Sequence, residues 1–302
     1  MILALTGGTG FVGRSVLDEA AQRDIAIRGL TRRPQDPQPS VTWVHGDFSD
    51  TSALAELMLG ADAVLHIAGV VNAPDKAGFT AGNVDGTRAV CDAAREAGVK
   101  RIVHVSSLAA REPSLSDYGY SKLMAEEVVQ VSGLDWTIVR PPAVYGPRDT
   151  EIFELFKAAR WRFLPTPPPG RASIIHVQDL SRLLLAVVES PAETYGRIFE
   201  PDDGTPEGWA HKDFAKAIGK AMRHRVWAPG IPAVLLRSAA NVDRMVRGER
   251  AKLTPDRASY MVHPDWVSDP QKSVPEELWR PNIPAEKGLR QTAEWYSDNN
   301  WL

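Results

Sequence analysis

The chain has 302 residues, a length that fits a large α/β domain with a smaller appendage better than one minimal core. Hydrophobic residues make up 43% and charged residues 24%, the balance of a soluble globular protein, and the net charge of −3 provides no general basic field for nucleic acid. Cys91 is the only cysteine, so no disulfide can form within the chain and a reducing, cytoplasmic setting is expected. The apolar runs are too short for a membrane span.

The first half of the chain alternates short apolar runs with amphipathic stretches. Helices are predicted at Asp85–Ala97 and Tyr118–Val131, and an earlier one follows the first apolar run. Alternation of this length predicts a parallel sheet that is covered by helices on both faces. The predicted strands are Ile2–Leu5, Ile25–Leu30, Thr42–Val44, Ala63–Ile67, Ile102–Ser106 and Trp136–Val139.

The pattern changes after Pro142. Prolines cluster between residues 165 and 169, and a strand at Ile174–Val177 is followed by Asp179, a candidate N-cap for a helix at Leu180–Glu189. From about Ser190 the chain is helical, irregular and rich in Trp and Pro. This composition predicts a smaller second domain.

A glycine-rich loop follows the first predicted strand and opens the first helix. Gly7, Gly10 and Gly13, with Phe11 and Val12 between them, would let the backbone turn sharply and approach a pyrophosphate. The first N–H groups of the helix would face the anion, and Gly13 would let the helix pack against the strand. An ordinary tight turn is the alternative, but the position between strand and helix favours dinucleotide binding.

The end of the second predicted strand bears on the choice of dinucleotide. An acidic residue there would hold the ribose 2′-OH of NAD, but the stretch Gly29–Pro34 has no carboxylate and contains Arg32 and Arg33. Two guanidinium groups suit a 2′-phosphate, so NADP(H) is favoured over NAD(H). A solvated basic turn is the alternative.

Tyr118 and Lys122 lie four residues apart, on one face of a predicted helix. A free phenol has a pKa of about 10 and is a poor base at neutral pH. Lowering that pKa by ~3 units needs about 4 kcal/mol of charge stabilisation, which a nearby ammonium and an oxidised nicotinamide could supply. A chance pairing on the surface is the alternative.

Further motifs follow one another along nearly the whole chain. They are Gly46-Asp47, His66–Gly69, Asn83–Thr87, Ile102–Ser107, Val139–Pro147, Ile175–Leu180, Gly288-Leu289 and Glu294–Tyr296. With the glycine loop and the Tyr118–Lys122 pair, this ordered set resembles the extended short-chain dehydrogenase/reductase family, whose branches include nucleotide-sugar epimerases and dehydratases.

The resemblance implies a Rossmann-type, doubly wound parallel sheet with a smaller, mostly helical C-terminal substrate domain. Residues 1–150 would form the NAD(P)-binding domain, with 172–190 returning to it. Residues 151–171 and 191–302 would form the substrate domain.

The resemblance also implies catalytic roles. Tyr118 would be the general acid/base, Ser107 would hydrogen-bond the same substrate oxygen, and Lys122 would hold the nicotinamide ribose and tune the phenol. Ser106 is the alternative to Ser107, but neighbours in a strand point to opposite faces, so only one of them can serve. Tyr120 is a poorer candidate base, because Lys122 is only two residues away.

Cofactor contacts beyond the glycine loop and the arginines are implied in the same way. They are expected at Asp47, Phe48, Ala68, Gly69, Tyr118, Lys122, Pro141 and Val144. His66, His104 and His176 sit in apolar strands and are interpreted as satisfied core or packing histidines, and no spacing of His, Asp and Glu predicts a metal site.

Two features bear on the small-molecule substrate. Candidates for gripping the diphosphate of a nucleotide sugar are Arg171, Arg237, Lys252 and Arg257, but none falls on the family's diphosphate position. The stretch Ile231–Met245 is mostly apolar on one side, which resembles branches acting on less polar alcohols or ketones, although it could equally pack the small domain. The substrate is expected at the carboxyl edge of the sheet, between Ser107–Tyr118 and the region after Ser190.

The leading hypothesis is an NADP(H)-dependent oxidoreductase that acts on a secondary alcohol or ketone. The alternatives are a nucleotide-sugar epimerase or dehydratase with internal hydride return, and a non-catalytic nucleotide-binding protein. A homodimer through Asp85–Ala97 and Tyr118–Val131 is one expectation for the assembly. The other is that the charged residues on these helices are solvated, namely Arg88, Asp92, Arg95, Glu126 and Glu127.

Overall fold

The computed structural model describes residues 1–190, 192–248, 251 and 253–302. The strands are β1 Ile2–Thr6, β2 Ala26–Thr31, β3 Val41–His45, β4 Ala63–His66, β5 Arg101–Val105, β6 Asp135–Val139, β7 Ala143–Tyr145, β8 Arg171–Ala172, β9 Ile174–His176, β10 Arg197–Phe199, β11 Trp209–Ala210 and β12 Asp265–Trp266. The α-helices are α1 Phe11–Gln22, α2 Thr51–Met58, α3 Lys76–Phe79, α4 Gly86–Glu96, α5 Asp117–Gln130, α6 Phe153–Arg160, α7 Val177–Val188, α8 His211–Ala221, α9 Ala233–Arg247, α10 Pro255–Met261 and α11 Ala285–Asp298.

Seven strands form one parallel sheet in the order β10-β6-β5-β4-β1-β2-β3. The sheet confirms the predicted Rossmann-type fold class, and each of the six strands predicted for the first half is present to within one residue at either end. The chain winds outward in both directions from the pair β1 and β4. Open parallel sheets place their ligand crevice at the carboxyl ends of such a pair.

Contacts along the backbone divide the chain into two compact units. The first consists of Met1–Arg140, Leu180–Glu200 and Lys272–Arg280, and the second of Pro141–Asp179, Pro201–Gln271 and Pro281–Leu302. The first unit contains the seven-stranded sheet. The second contains a two-stranded sheet, β7-β9, and a three-stranded sheet, β11-β8-β12.

The core of the first unit follows from strands that are buried on both faces. Leu5, Leu65 and Ile102 lie in β1, β4 and β5, and each of these side chains is fully buried. Parallel strands with helices on both sides are continuous apolar runs for this reason, which is why they were readily predicted.

The second unit has its own aromatic core. Tyr145, Phe156 and Tyr296 are fully buried there, and the Tyr296 hydroxyl donates to the Asp149 carbonyl at 2.8 Å. This bond ties the C-terminal helix α11 to the segment before α6.

One predicted helix start is wrong. Asp179 does not cap a helix, because α7 begins at Val177 and places Asp179 in its first turn. The Asp179 carboxylate instead accepts hydrogen bonds from the N–H groups of Asn282 and Ile283, at 3.1 and 2.9 Å. A long-range partner for the carboxylate replaced the local one that the sequence predicted.

None of the helices in the described part of the chain combines the length and apolar character that crossing a membrane requires.

Candidate functional site

The glycine loop leaves no space for side chains at its first turn. Gly7 has φ +77°, and a Cβ there would lie 2.6 Å from the amide nitrogen of Ala68. Gly10 caps α1 without a side-chain hydrogen bond. The first-turn N–H groups of α1 therefore have no capping side chain and can serve an anion.

Gly13 also has a close backbone neighbour. A Cβ on Gly13 would lie 2.0 Å from the carbonyl oxygen of Gly7, so the glycine lets α1 pack against its own loop. The loop therefore closes on itself and holds Gly7 close to Ala68, the segment that follows β4.

A cavity of about 440 Å³ opens in the first unit at the carboxyl ends of β1, β2, β3 and β4. Its size suits a small-molecule site. Its lining consists of Thr6, Gly7, Thr9, Leu30, Thr31, Arg32, Gly46, Asp47, Phe48, Ser49, Ala68, Gly69, Val70, Ala81 and Gly82. The structure thus brings together Gly7, Arg32, Asp47, Phe48 and the pair Ala68-Gly69, which the sequence assigned to a cofactor.

The two neighbouring arginines differ in position. Arg32 lines the cavity, whereas Arg33 is not among the described residues that do. The Arg33 carbonyl accepts a hydrogen bond from the Thr31 hydroxyl at 2.7 Å, which fixes the turn after β2.

Asp47 is held at the rim of the cavity by Ser49. Its carboxylate accepts hydrogen bonds from the Ser49 hydroxyl at 2.6 Å and from the Ser49 N–H at 2.8 Å. These bonds lower the pKa of Asp47, so the carboxylate stays ionised and can accept further hydrogen bonds. Behind it, Phe48 packs edge-on against His66, with ring centroids 5.7 Å apart.

Ser107 and Tyr118 lie near the starts of two successive helical elements after β5. Ser107 caps the 3₁₀ turn Leu108–Arg111, where its Oγ accepts from the Ala109 N–H at 3.2 Å, and its side chain is half-buried. Tyr118 is also half-buried and lies in the first turn of α5, with its ring 6.1 Å from the ring of Phe79.

Lys122 lies one turn after Tyr118 and is 4% exposed. Its ammonium donates to the carbonyl oxygen of Val105 at 2.9 Å, and this places it at the end of β5, two residues before Ser107. Burial lowers the pKa of Lys122 to about 8, and the Glu126 carboxylate opposes that shift.

The two alternatives for the catalytic residues occupy unsuitable positions. Ser106 is buried and donates to Glu126, so its hydroxyl is already committed. Tyr120 is exposed, and the Lys76 ammonium lies 4.0 Å from the centre of its ring. These contacts leave Ser107 and Tyr118 as the better candidates.

A buried charge network beneath Lys122 was missed in the sequence. Glu126, for which the sequence left a dimer interface or solvent as alternatives, is fully buried within the chain and accepts two hydrogen bonds from Arg140, at 2.9 and 2.6 Å. The Arg140 guanidinium also forms an ion pair with the Glu200 carboxylate at 3.3 Å. The same carboxylate forms a second ion pair with the Arg111 guanidinium at 3.2 Å. A carboxylate four residues after Lys122 was the available signal, but nothing local revealed its burial.

Asn83 is a second residue whose role the sequence did not reveal. It lies in a π-helical turn, Thr80–Asp85, and is 2% exposed. Its amide oxygen accepts from the Val70 N–H at 2.6 Å, while its nitrogen donates to the Val70 carbonyl at 2.9 Å and to the Ser121 hydroxyl at 2.8 Å. Asn83 therefore joins α5 to the cavity wall, and π-turns often mark functional sites.

The three strand histidines lie in the interior. His66 hydrogen-bonds to the hydroxyls of Thr6 and Thr87, at 2.6 and 2.9 Å, and burial lowers its pKa to about 3. His104 and His176 are buried as well, and among the described residues neither ring nitrogen of His104 and not Nε2 of His176 has a hydrogen-bond partner, so these two rings act mainly through packing. The described chain also holds no group of three or more His, Cys, Asp or Glu side chains suited to a metal ion.

The remaining candidates belong to the second unit. Pro141 and Val144 lie there, outside the cavity lining. Arg171 donates to the carbonyls of Glu207 and Gly208 at 2.6 and 2.9 Å, and Arg257 pairs with Glu151. Arg237 is exposed on α9, and Lys252 lies outside the described residues.

Comparison with known proteins agrees with this geometry. A family model described as NAD(P)H-binding matches residues 7–191, more than half of the chain. A ceramide reductase of Caulobacter vibrioides is 35% identical over an alignment of 318 residues that covers 100% of this chain and 96% of the relative. This chain belongs to the extended short-chain dehydrogenase/reductase family. It is an enzyme of that family, and it uses a nicotinamide cofactor.

Two further similarities complete the comparison. A ketoreductase of Stigmatella aurantiaca, named for a farnesyl-substituted dihydroquinoline oxide, is 31% identical over 230 residues, which cover 67% of this chain and 68% of the relative. Among solved structures, the dTDP-glucose 4,6-dehydratase of Streptomyces venezuelae with NAD bound superimposes with a TM-score of 0.72 at 22% identity, covering 100% of this chain and 98% of the other. This last likeness supports the fold.

Proposed function

We propose that this short-chain dehydrogenase/reductase catalyses the NADP(H)-dependent reduction of a ketone to a secondary alcohol on a weakly polar, lipid-like substrate. The observation that carries the proposal is the placement of Lys122. Its buried ammonium lies at the end of β5, one helical turn from Tyr118 and two residues from Ser107.

The bound nicotinamide would supply the hydride. Tyr118 gives its phenolic proton to the carbonyl oxygen as that oxygen gains negative charge, and Ser107 donates a hydrogen bond to the same oxygen. The Lys122 ammonium stabilises the phenolate that remains. In this arrangement each of the three side chains acts on the oxygen or on the phenol that protonates it.

The substrate class rests on the relatives and on the arginines of the second unit. The two relatives named above are called a ceramide reductase and a ketoreductase of a farnesylated ring, and both names describe molecules with long apolar parts. A nucleotide-sugar site would need guanidinium groups for a diphosphate, but Arg171 and Arg257 already have partners. These contacts favour a lipid-like ketone over a nucleotide sugar.

The cofactor choice rests on Arg32, which lines the cavity at the end of β2. The stretch Gly29–Pro34, at the end of β2, has no carboxylate that would repel a 2′-phosphate. We therefore propose NADP(H) as the cofactor, with Gly7, Gly10 and Gly13 at the pyrophosphate and the Asp47 carboxylate at the adenine amino group.

The assembly that we propose is a homodimer through α4 and α5.

Replacing Tyr118 with Phe tests the reaction. The variant should lose at least about two orders of magnitude in kcat, because general acid catalysis is removed, whereas NADPH should bind as before. Tyr120→Phe is the matched control and should keep wild-type activity. Turnover of a long-chain ketone, followed by NADPH absorbance, is the measurement, and full activity of Tyr118→Phe would move the role to another residue.

A further inference from the structure

Exposed aromatic side chains cluster where α6 ends in the second unit. Trp161 is 85% exposed, Trp227 is 70% exposed and Phe163 is 44% exposed. Phe163 and Trp227 are paired through a β-bridge, with ring centroids 5.3 Å apart, and the Trp227 N–H donates to the Arg162 carbonyl at 2.9 Å. Large rings clustered in solvent mark a surface with a binding partner.

Basic side chains accompany the aromatic rings. Arg160 and Arg162 alternate with Trp161 and Phe163, Arg225 lies two residues before Trp227, and all three arginines are exposed. We call the six residues Arg160, Trp161, Arg162, Phe163, Arg225 and Trp227 the aromatic–basic patch. Although the chain as a whole is acidic, residues 220–248 contain six Lys and Arg but one carboxylate, Asp243.

Helix α9 continues this basic segment and turns an apolar stripe to solvent. Leu236 and Ala240 are buried on its inner side, in a small cluster with Ala258 of α10. The flank beside that inner side exposes Leu235, Ala239, Val242 and Val246, at the spacing of one helical stripe, which we call the outer stripe. Exposed aliphatic residues in a basic segment are typical of helices that lie in a bilayer interface.

We propose that the aromatic–basic patch and the outer stripe of α9 dock this enzyme on the surface of an anionic lipid bilayer. Tryptophan and arginine suit that interface, because the ring sits at the headgroup level while the guanidinium meets lipid phosphate. A second copy of the chain is a poor occupant, since its own arginines would face these. Nucleic acid is also a poor occupant, because it would leave Leu235 and Val242 uncovered in water.

Vesicle flotation tests the proposal without any substrate or cofactor. The full chain should float with vesicles of mixed phosphatidylcholine and phosphatidylglycerol and stay behind with phosphatidylcholine alone. High salt should weaken the binding, because exposed charges are screened. Flotation is measured without catalysis. A lack of vesicle binding would therefore not count against the proposed reductase activity. In the same way, a lack of reductase activity would not count against vesicle binding.

Variants separate the two contributions. The double charge reversal Arg160→Glu with Arg162→Glu should weaken binding to the mixed vesicles by at least about tenfold, since each basic residue near an anionic surface adds appreciable attraction. Trp161→Ala should weaken binding with little change in thermal stability, because the ring is exposed. The charge-matched control is Lys287→Glu with Arg290→Glu, on exposed positions of α11 outside the patch, and it should bind as wild type.

Three results would overturn the proposal. The first is no flotation with the mixed vesicles at low salt, and the second is an equal loss of binding in the Lys287 and Arg290 control. The third is a self-association in sedimentation, or a binding of DNA in place of vesicles, that disappears with Trp161→Ala. That result would assign the surface to a second copy or to a polyanion.

Discussion

Lys122 combines a charge with nearly complete burial, a combination that proteins avoid unless the charge has a use. One carbonyl, that of Val105, accepts from the ammonium, and Glu126 is the carboxylate that favours its charged form. At neutral pH the ammonium is therefore charged but close to titration. A group poised in this way can respond to a phenolate that forms one helical turn away.

The pH dependence of the enzyme should report on Lys122. Because its pKa of about 8 lies below the ordinary 10.5, the ammonium is lost as the pH rises through about 8. We expect kcat/KM for ketone reduction to fall above that pH. The free energy of unfolding should instead rise between pH 8 and 10.5, because in this range the unfolded chain still binds the Lys122 proton that the folded chain has lost. A kcat/KM profile that stays flat to pH 10 would contradict this assignment.

Arg32 offers a test of the cofactor preference. Replacing Arg32 with Asp should erase or invert the preference for NADPH over NADH, because a charge-assisted contact to phosphate is worth about 1.5–3 kcal/mol. Arg33→Asp is the matched control, since Arg33 also carries a guanidinium but does not line the described cavity, and its effect should be much smaller. Calorimetric titration would measure both affinities, and equal affinities in the wild type would refute the preference.

At the scale of elements, α5 organises the candidate catalytic groups. Tyr118, Lys122 and Glu126 recur every four residues and so share one face of the helix. Glu126 joins that face to Arg140 after β6 and to Ser106 after β5. We therefore propose that the position of the ammonium depends on the contact of α5 with two strand ends, and that Glu126 is a positioning residue.

Glu126→Gln tests this dependence. Loss of the carboxylate should lower the pKa of Lys122 further, and the alkaline fall in kcat/KM should move to lower pH. Unfolding should become easier by about 2 kcal/mol, the order of a charged hydrogen bond. Glu127→Gln is the control, because Glu127 is the exposed neighbour on the same helix. If the pH profile stayed in place while stability fell, Glu126 would have a structural role alone.

Features that depend on neighbouring residues could be predicted from the sequence, and features that depend on residues distant in the sequence could not. The strands of the large sheet and the glycine loop were predictable because apolar runs and glycine spacing are local properties. Glu126 was not, because its burial depends on Arg140, fourteen residues away and in another element. The start of α7 was misplaced for a related reason, since Asp179 serves a segment about one hundred residues later.

At the scale of the whole molecule, the chain passes between its two units several times. The short strands of the second unit pair residues that are far apart in sequence, as Arg171 of β8 does with Asp265 of β12. Two-residue strands give no periodic signal, so the sheet β11-β8-β12 could not be predicted, whereas the predicted strand Ile174–Val177 is present as β9. The relative that spans the full chain is consistent with both units belonging to one enzyme.

The reaction that we propose for this enzyme is the net reduction of a ketone, with Tyr118 as the proton donor. The most direct test is single turnover with NADPH that carries deuterium at the transferable position, together with the ketone that yields the secondary hydroxyl of a ceramide. Mass spectrometry should find one deuterium on the carbinol carbon of the product, in proportion to the NADPH oxidised, and Tyr118→Phe should form this product at least about a hundredfold more slowly. An altered product without net oxidation of NADPH, or no deuterium in the alcohol, would contradict the account.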